Sequence, residues 1–221
     1  MTDLERALYP FLDAEAPIAD PAAVLEHVRR SILVKSAEVE ALRAAMLERH
    51  AGDLARAAAL LAASFASGGK VLAFGNGGSA TDAQDLVHDL LEPPDPAWRA
   101  LPAIDLGAGA AVLTAVANDV GFEHVFLRQV VAFGEAGDVA VGFSTSGESR
   151  SVLAAFAEAR RRGLRTIGFS GNEGGRMAEP GVLDVVVVAP SSHVPRIQEA
   201  HATASHALLE MLQAELAERA P

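Results

Sequence analysis

Val71-Leu72-Ala73-Phe74-Gly75-Asn76-Gly77-Gly78-Ser79 runs from an apolar stretch into a glycine turn and a hydroxyl, and its reading decides the fold. Val71 to Phe74 predicts a short strand, Gly75 to Gly78 a turn, and Ser79 to Leu91 a helix. The same grammar recurs downstream. Strands are expected over 101–106, 139–143, 165–169 and 184–188, with helices around Ala111 to Val116, from Val152 to Arg161, and from Pro195 through Glu218. The Val run at 185–188 predicts a strand buried on both faces, because β-branched residues at that density suit a covered sheet. Such alternation argues for an α/β fold, a parallel sheet in a three-layer sandwich, with ligands at the carboxyl ends of the strands.

Upstream the pattern is helical. Residues 1–68 read as a helical arm that takes part in an oligomer core, and 69–221 as the α/β domain. Pro10, Pro17 and Pro21 punctuate the start, and Val24, Leu25, Val28, Ile32, Leu33, Val39, Leu42, Met46 and Leu47 recur at helical spacing. Gly52 and Asp53 are expected to break that helix and cap a second, Ala-rich one from Leu54 to Phe65. Few large side chains on an Ala-rich helix suit close packing, including packing against another subunit.

Composition narrows the function. With 18 basic and 29 acidic side chains among 221 residues, the net charge is −11, which argues against wrapping a nucleic-acid backbone. An aromatic fraction of 5% offers no platform for stacked bases, so Tyr9 and Trp98 read as packing residues. The absence of Cys excludes disulfides, thiolate metal sites and a Cys nucleophile together. Met1-Thr2-Asp3-Leu4-Glu5 has no basic region followed by an apolar core, and the apolar runs fall short of the ~20 residues that cross a bilayer. A soluble cytoplasmic protein, with no membrane and no direct nucleic-acid partner, is the expectation.

Two strand-to-helix loops carry the chemistry. In Gly75-Asn76-Gly77-Gly78-Ser79 the backbone can turn tightly, and the N–H groups of the following helix turn form an anion cradle. The run is neither the dinucleotide fingerprint nor a nucleotide P-loop, so no nucleotide cofactor is expected. Ser144-Thr145-Ser146-Gly147-Glu148-Ser149 sits in the same topological place after the 139–143 strand and offers four hydroxyls at a helix entrance. Neither loop contains Lys or Arg. Phosphate held by neutral donors and helix termini suits reversible binding of a sugar phosphate better than a triphosphate. An ordinary turn and a capping loop are the bland readings of the same residues.

These loops, together with Ala117-Asn118-Asp119-Val120-Gly121-Phe122 and Arg196-Ile197-Gln198-Glu199-Ala200-His201 followed by His206, resemble the sugar isomerase domain family and, within it, the sedoheptulose 7-phosphate isomerases. The resemblance covers nearly the whole chain and assigns 69–221 to the sugar isomerase domain. It implies a homotetramer with sites between subunits, converting sedoheptulose 7-phosphate to D-glycero-D-manno-heptose 7-phosphate. By position, Ser144, Thr145, Ser146 and Ser149 grip the phosphate, while Asn76 and Gly77, with Gly78, Ser79, Asn118, Asp119 and Gln198, line the sugar. His206 matches the family's catalytic acid/base, and with Gln198 forms a pair that also ligates zinc in the family.

The chain departs from the family on the helix after the glycine loop. Asp85 stands where family isomerases place a His, and Asp89 where they place the catalytic Glu. The basic segment that often follows is replaced by Glu92-Pro93-Pro94-Asp95-Pro96. Asp85 and Asp89 are i and i+4 and share a helix face; Gln198 and His206 are eight apart and share another. Together the four make a candidate site for Zn²⁺, Mn²⁺ or a similar divalent ion. The expected roles are Asp89 as base, His206 as acid, and Asp85 and Gln198 as metal ligands. His88 lies off that face, and His201 reads as a support residue. His193 and Arg196 are placed to meet phosphate from a neighbouring subunit or to sit at the helix start. Two alternatives stay open: an isomerase of another sugar phosphate, and a non-catalytic tetramer that binds sugar phosphates or associates with a replication initiator.

Overall fold

The computed structural model describes residues 20–218, and the chain divides into two units, Met1–Glu38 and Val39–Pro221. The expectations for Tyr9, Pro10 and Pro17 lie outside the described residues. Helix α1 runs unbroken over Pro21–Ala66. Asp20 starts it, its carboxylate accepting the Ala22 N–H at 3.1 Å, and Pro21 takes the first helical position, where a missing N–H is no loss.

The expected break at Gly52 and Asp53 is not there. Asp53 points its carboxylate at His50, 2.8 Å away, and Arg56, 3.2 Å away, instead of capping a new helix. A helix-interior glycine costs about 1 kcal/mol against Ala, and the burial of Leu54, Leu61 and Phe65 in the same stretch outweighs it. In the first unit Val24, Leu25, Val28, Ile32, Leu33 and Val34 are all exposed. Their helical spacing therefore makes an unpartnered apolar stripe.

The second unit is a sandwich around one parallel sheet. Strands β1 (Val71–Gly75), β2 (Ala103–Asp105), β3 (Val139–Ser144), β4 (Arg165–Gly171) and β5 (Val185–Ala189) lie in the order β2-β1-β3-β4-β5. All four pairings are parallel, with Val71 opposite Val139 and Val139 opposite Arg165. One face carries Val71, Ala73, Val141, Phe143, Ile167 and Phe169. It packs in one core with residues from Leu42 to Phe65 of α1, with α2 (Gly78–Leu91), and with α6 (Val194–Glu218). The other face, with Leu72, Phe74 and Ala140, packs on α3 (Ala110–Val120), α4 (Leu127–Phe133) and α5 (Arg150–Arg161). A three-layer α/β sandwich is what the alternation predicted.

The second half of α1, in the unit from Val39 onward, shares the core of the strands. Two details differ from the sequence reading. The Val run of β5 is an edge strand: Val185 and Val187 are buried, whereas Val186 and Val188 are only partly covered. Helix α4 and the short turns Phe122–His124 and Gly175–Ala178 had no distinct sequence signal.

The order reverses at β1. From β1 the chain crosses to β2 on one side and later returns to β3 on the other, so the carboxyl ends of β1 and β3 flank the switch point where ligands of open α/β sheets bind. Both loops of interest leave from there.

Candidate active site

The loop after β1 is shaped by close approaches. Gly78, first residue of α2, lies so near the Gln198 carboxamide that a methyl group on it would stand 1.8 Å from Gln198 Nε2. The glycine thus lets α6 come down on the start of α2. Ser79 is buried, its N–H donating to the Asn76 carbonyl at 3.0 Å, so it builds the helix start while Gly77 and Gly78 stay exposed.

The loop after β3 is tied to it by one side chain. Asn76 Nδ2 donates to Ser149 Oγ at 2.8 Å and to Ser151 Oγ at 2.9 Å. The amide is therefore engaged by the hydroxyl loop, and Ser151, which the sequence reading missed, is its second partner. Two residues after Ser149 at a helix entrance, Ser151 had only its hydroxyl to announce it. Ser144 Oγ and Ser146 Oγ stand 3.4 Å apart, and Ser146 Oγ accepts the Glu148 N–H at 3.2 Å. The Thr145 carbonyl takes Asn172 Nδ2 at 3.1 Å, and Glu148 Oε1 takes the Arg176 N–H at 2.9 Å, bracing the loop from β4 and beyond. Ser144, Thr145, Ser146 and Ser149 thus share one loop at the switch point.

The helix pair α2 and α6 holds the titratable candidates. Gly78 meets Gln198, Asp82 Oδ2 lies 3.8 Å from His201 Nδ1, and Asp89 Oδ2 lies 3.6 Å from His206 Nε2, so the helices run side by side in the same direction. Asp89 is mostly buried at 18% side-chain exposure, whereas His206 is open at 64%. The acid/base pair read from sequence is brought together from positions 117 apart. Asp85 and His88 are exposed on α2. Among the described residues of the single chain no three His, Asp or Glu side chains group as a metal would need.

Asn118 and Asp119 sit exposed at the end of α3, Asn118 Nδ2 donating to Asp119 Oδ1 at 2.8 Å. Among the described residues neither is hydrogen-bonded to the two loops. His193 is exposed, and the buried Arg196 pairs with Glu199 at 2.7 Å, so Arg196 serves the start of α6. At the carboxyl end of β2, burial pushes the Asp105 carboxyl above the ordinary carboxylate range, partly offset by the Gly107 N–H that it accepts at 2.7 Å. No sequence pattern marked it.

Comparison with known proteins accords with this arrangement. The SIS domain family model matches residues 36–171. The phosphoheptose isomerase of Burkholderia pseudomallei is 42% identical over 179 residues, 80% of this chain and 90% of that protein. That of Geobacter sulfurreducens is 45% identical over 171 residues, 77% of this chain and 89% of its own length. The solved phosphoheptose isomerase of Neisseria gonorrhoeae superposes with a TM-score of 0.78 at 34% identity, over 85% of this chain and 99% of that one. The Vibrio vulnificus NanR protein complexed with ManNAc-6P shares the fold at 14% identity and a TM-score of 0.62. On the extent of the family match and the identity of these relatives, the chain belongs to the phosphoheptose isomerases of the SIS domain family.

Proposed function

We infer that the chain interconverts sedoheptulose 7-phosphate and D-glycero-D-manno-heptose 7-phosphate, a ketose and its aldose. The observation that carries the reading is the Asp89–His206 contact at 3.6 Å, in a chain whose relatives are named phosphoheptose isomerases. The reaction moves one hydrogen from C1 to C2 and one proton from O1 to O2, so no oxidant or reductant is consumed. Asp89 takes the C1 proton as the C2 carbonyl becomes an enediol, then returns it to C2. His206 gives a proton to the carbonyl oxygen at C2 and removes one from O1; imidazole is the side chain suited to both near neutral pH. The proton transfers are assigned to Asp89 and His206; Asp85, Asp89, Gln198 and His206 are the residues that would hold a divalent ion, which would polarise the C2 carbonyl.

The phosphate falls to the hydroxyls of Ser144, Thr145, Ser146 and Ser149, with the exposed start of α2 beside them. Gly78 and Asp89 are eleven residues apart on one helix, about 16 Å along its axis. That span favours a site in which the hydroxyl loop of one copy serves the Asp89–His206 pair of another. The exposed Val24–Val34 stripe supports the same reading, a homotetramer with shared sites.

The test is to incubate the purified protein with sedoheptulose 7-phosphate and follow aldose formation by NMR. Turnover is expected, and Asp89→Asn should lower it by more than about 10²-fold while leaving sugar-phosphate binding near its original strength. Binding without turnover in the unaltered protein would overturn the isomerase reading. Undiminished turnover in the variant would remove Asp89 as base.

A further inference from the structure

Between α2 and α6 lies a polar cluster that the proton transfers above do not use. His201 is wholly buried, and its Nε2 stands 2.9 Å from the Ser170 carbonyl near the end of β4. A carbonyl only accepts, so Nε2 carries the ring hydrogen. The other ring nitrogen, Nδ1, lies 3.8 Å from Oδ2 of Asp82, which is itself buried. Among the described residues neither of those atoms has a hydrogen-bond partner, nor does the buried Ser205 Oγ, one turn further along α6. The rings of Phe143 and Phe169 stand 6.0 Å from the imidazole and keep its surroundings apolar. As a device for stability alone the cluster is a poor one, because apolar side chains in the same space would pack without leaving polar atoms unpaired.

Its position supplies the reason. Asp82 is seven residues before Asp89, two turns back on the same face of α2; His201 is five before His206 on α6. We propose that His201 is a positioning residue for the isomerase site, tying α6 to β4 through Ser170 while its ring stands against Asp82 of α2, and so setting the register in which His206 faces Asp89. The inference rests on the isomerase reading for its effect on rate, but the tie itself does not. A slip near 1 Å between the helices separates the acid from the base, and displacement of that order costs about 10²-fold in rate.

The test compares His201→Phe, His201→Gln and Asp82→Asn in the full-length protein, with kcat, KM and the ring resonances of His206 as readouts. His201→Phe keeps the packing and loses the tie to Ser170: kcat should fall about 30-fold or more with KM within twofold, and the His206 resonances should move. Asp82→Asn puts an amide donor in front of Nδ1, and should keep kcat within about fivefold and His206 in place. His201→Gln retains a donor for Ser170 and should fall between them, which keeps the idea testable if the Phe variant does not fold. A folded His201→Phe or His201→Gln protein with unmoved His206 resonances and kcat within threefold overturns the proposal. If the unaltered protein turns over no sedoheptulose 7-phosphate, the isomerase reading fails, while the His206 resonances still decide the tie.

Discussion

The two loops at the switch point solve different problems with different residues. The loop after β1 is built around missing side chains: Gly78 has none so that Gln198 of α6 can sit against it. The loop after β3 is built around hydroxyls, with Ser144, Ser146, Ser149 and Ser151 clustered, and a single glycine, Gly147, where the chain must turn. One loop places a helix; the other presents donors. Asn76 is the hinge pin, a side chain of the first loop that serves the second. The contrast shows why two loops at matching positions are not interchangeable, although each alone could be taken for an anion cradle.

Breaking the second loop's backbone should have the largest effect. Gly147 has φ of 68°, and a Cβ there would stand 2.0 Å from the Gly174 carbonyl oxygen, a backbone atom that cannot swing aside. Gly147→Ala therefore adds a left-handed conformation to a clash. We expect a loss of about 3 kcal/mol, read as a melting temperature lower by roughly 6–12 °C, together with loss of sugar-phosphate binding. Unchanged melting would show that the loop relaxes freely and is no rigid cradle.

Cutting the tie should come second. Asn76→Ala leaves Ser149 and Ser151 without their shared donor, at an expected cost of about 1–2 kcal/mol, or a melting temperature lower by roughly 2–8 °C. If Asn76 instead met the sugar directly, as its place in the motif suggested, KM would rise with no change in melting. Calorimetry and kinetics on one variant separate the two roles.

The residues themselves explain what could be read in advance. Short apolar runs such as Val71–Phe74, separated by glycine turns, announce a parallel sheet because nothing else buries them. The pairing of Asp89 with His206 was within reach too, through the resemblance to the sugar isomerase family, which implies a catalytic pair at these two positions. What stayed hidden depends on contacts between distant segments. Gly52 looks like a stop signal, and only the burial of Leu54 and Leu61 in a core shared with the sheet shows why the helix continues through it. The edge position of β5 is a matter of sheet order, and four Val residues read alike at an edge or in the centre. The exposure of Asp85 stayed hidden for a similar reason: sharing a face with Asp89 does not decide how far that face turns to solvent.

The smallest effect should come from a single hydroxyl. Ser146 is exposed, and its Oγ only accepts the Glu148 N–H and approaches Ser144 Oγ at 3.4 Å. Removing it unburies nothing and leaves the tie to Asn76 untouched, so Ser146→Ala should melt within about 1 °C of the original protein. A bound phosphate would lose one neutral donor among several, for which about 1 kcal/mol, or a fivefold rise in KM, is the expected scale. With kcat unchanged, such a rise assigns Ser146 to binding that is equal in ground and transition states. A change in melting without a change in KM would move it from the presenting loop's function to its framework, and the contrast between the loops would lose its sharpest edge.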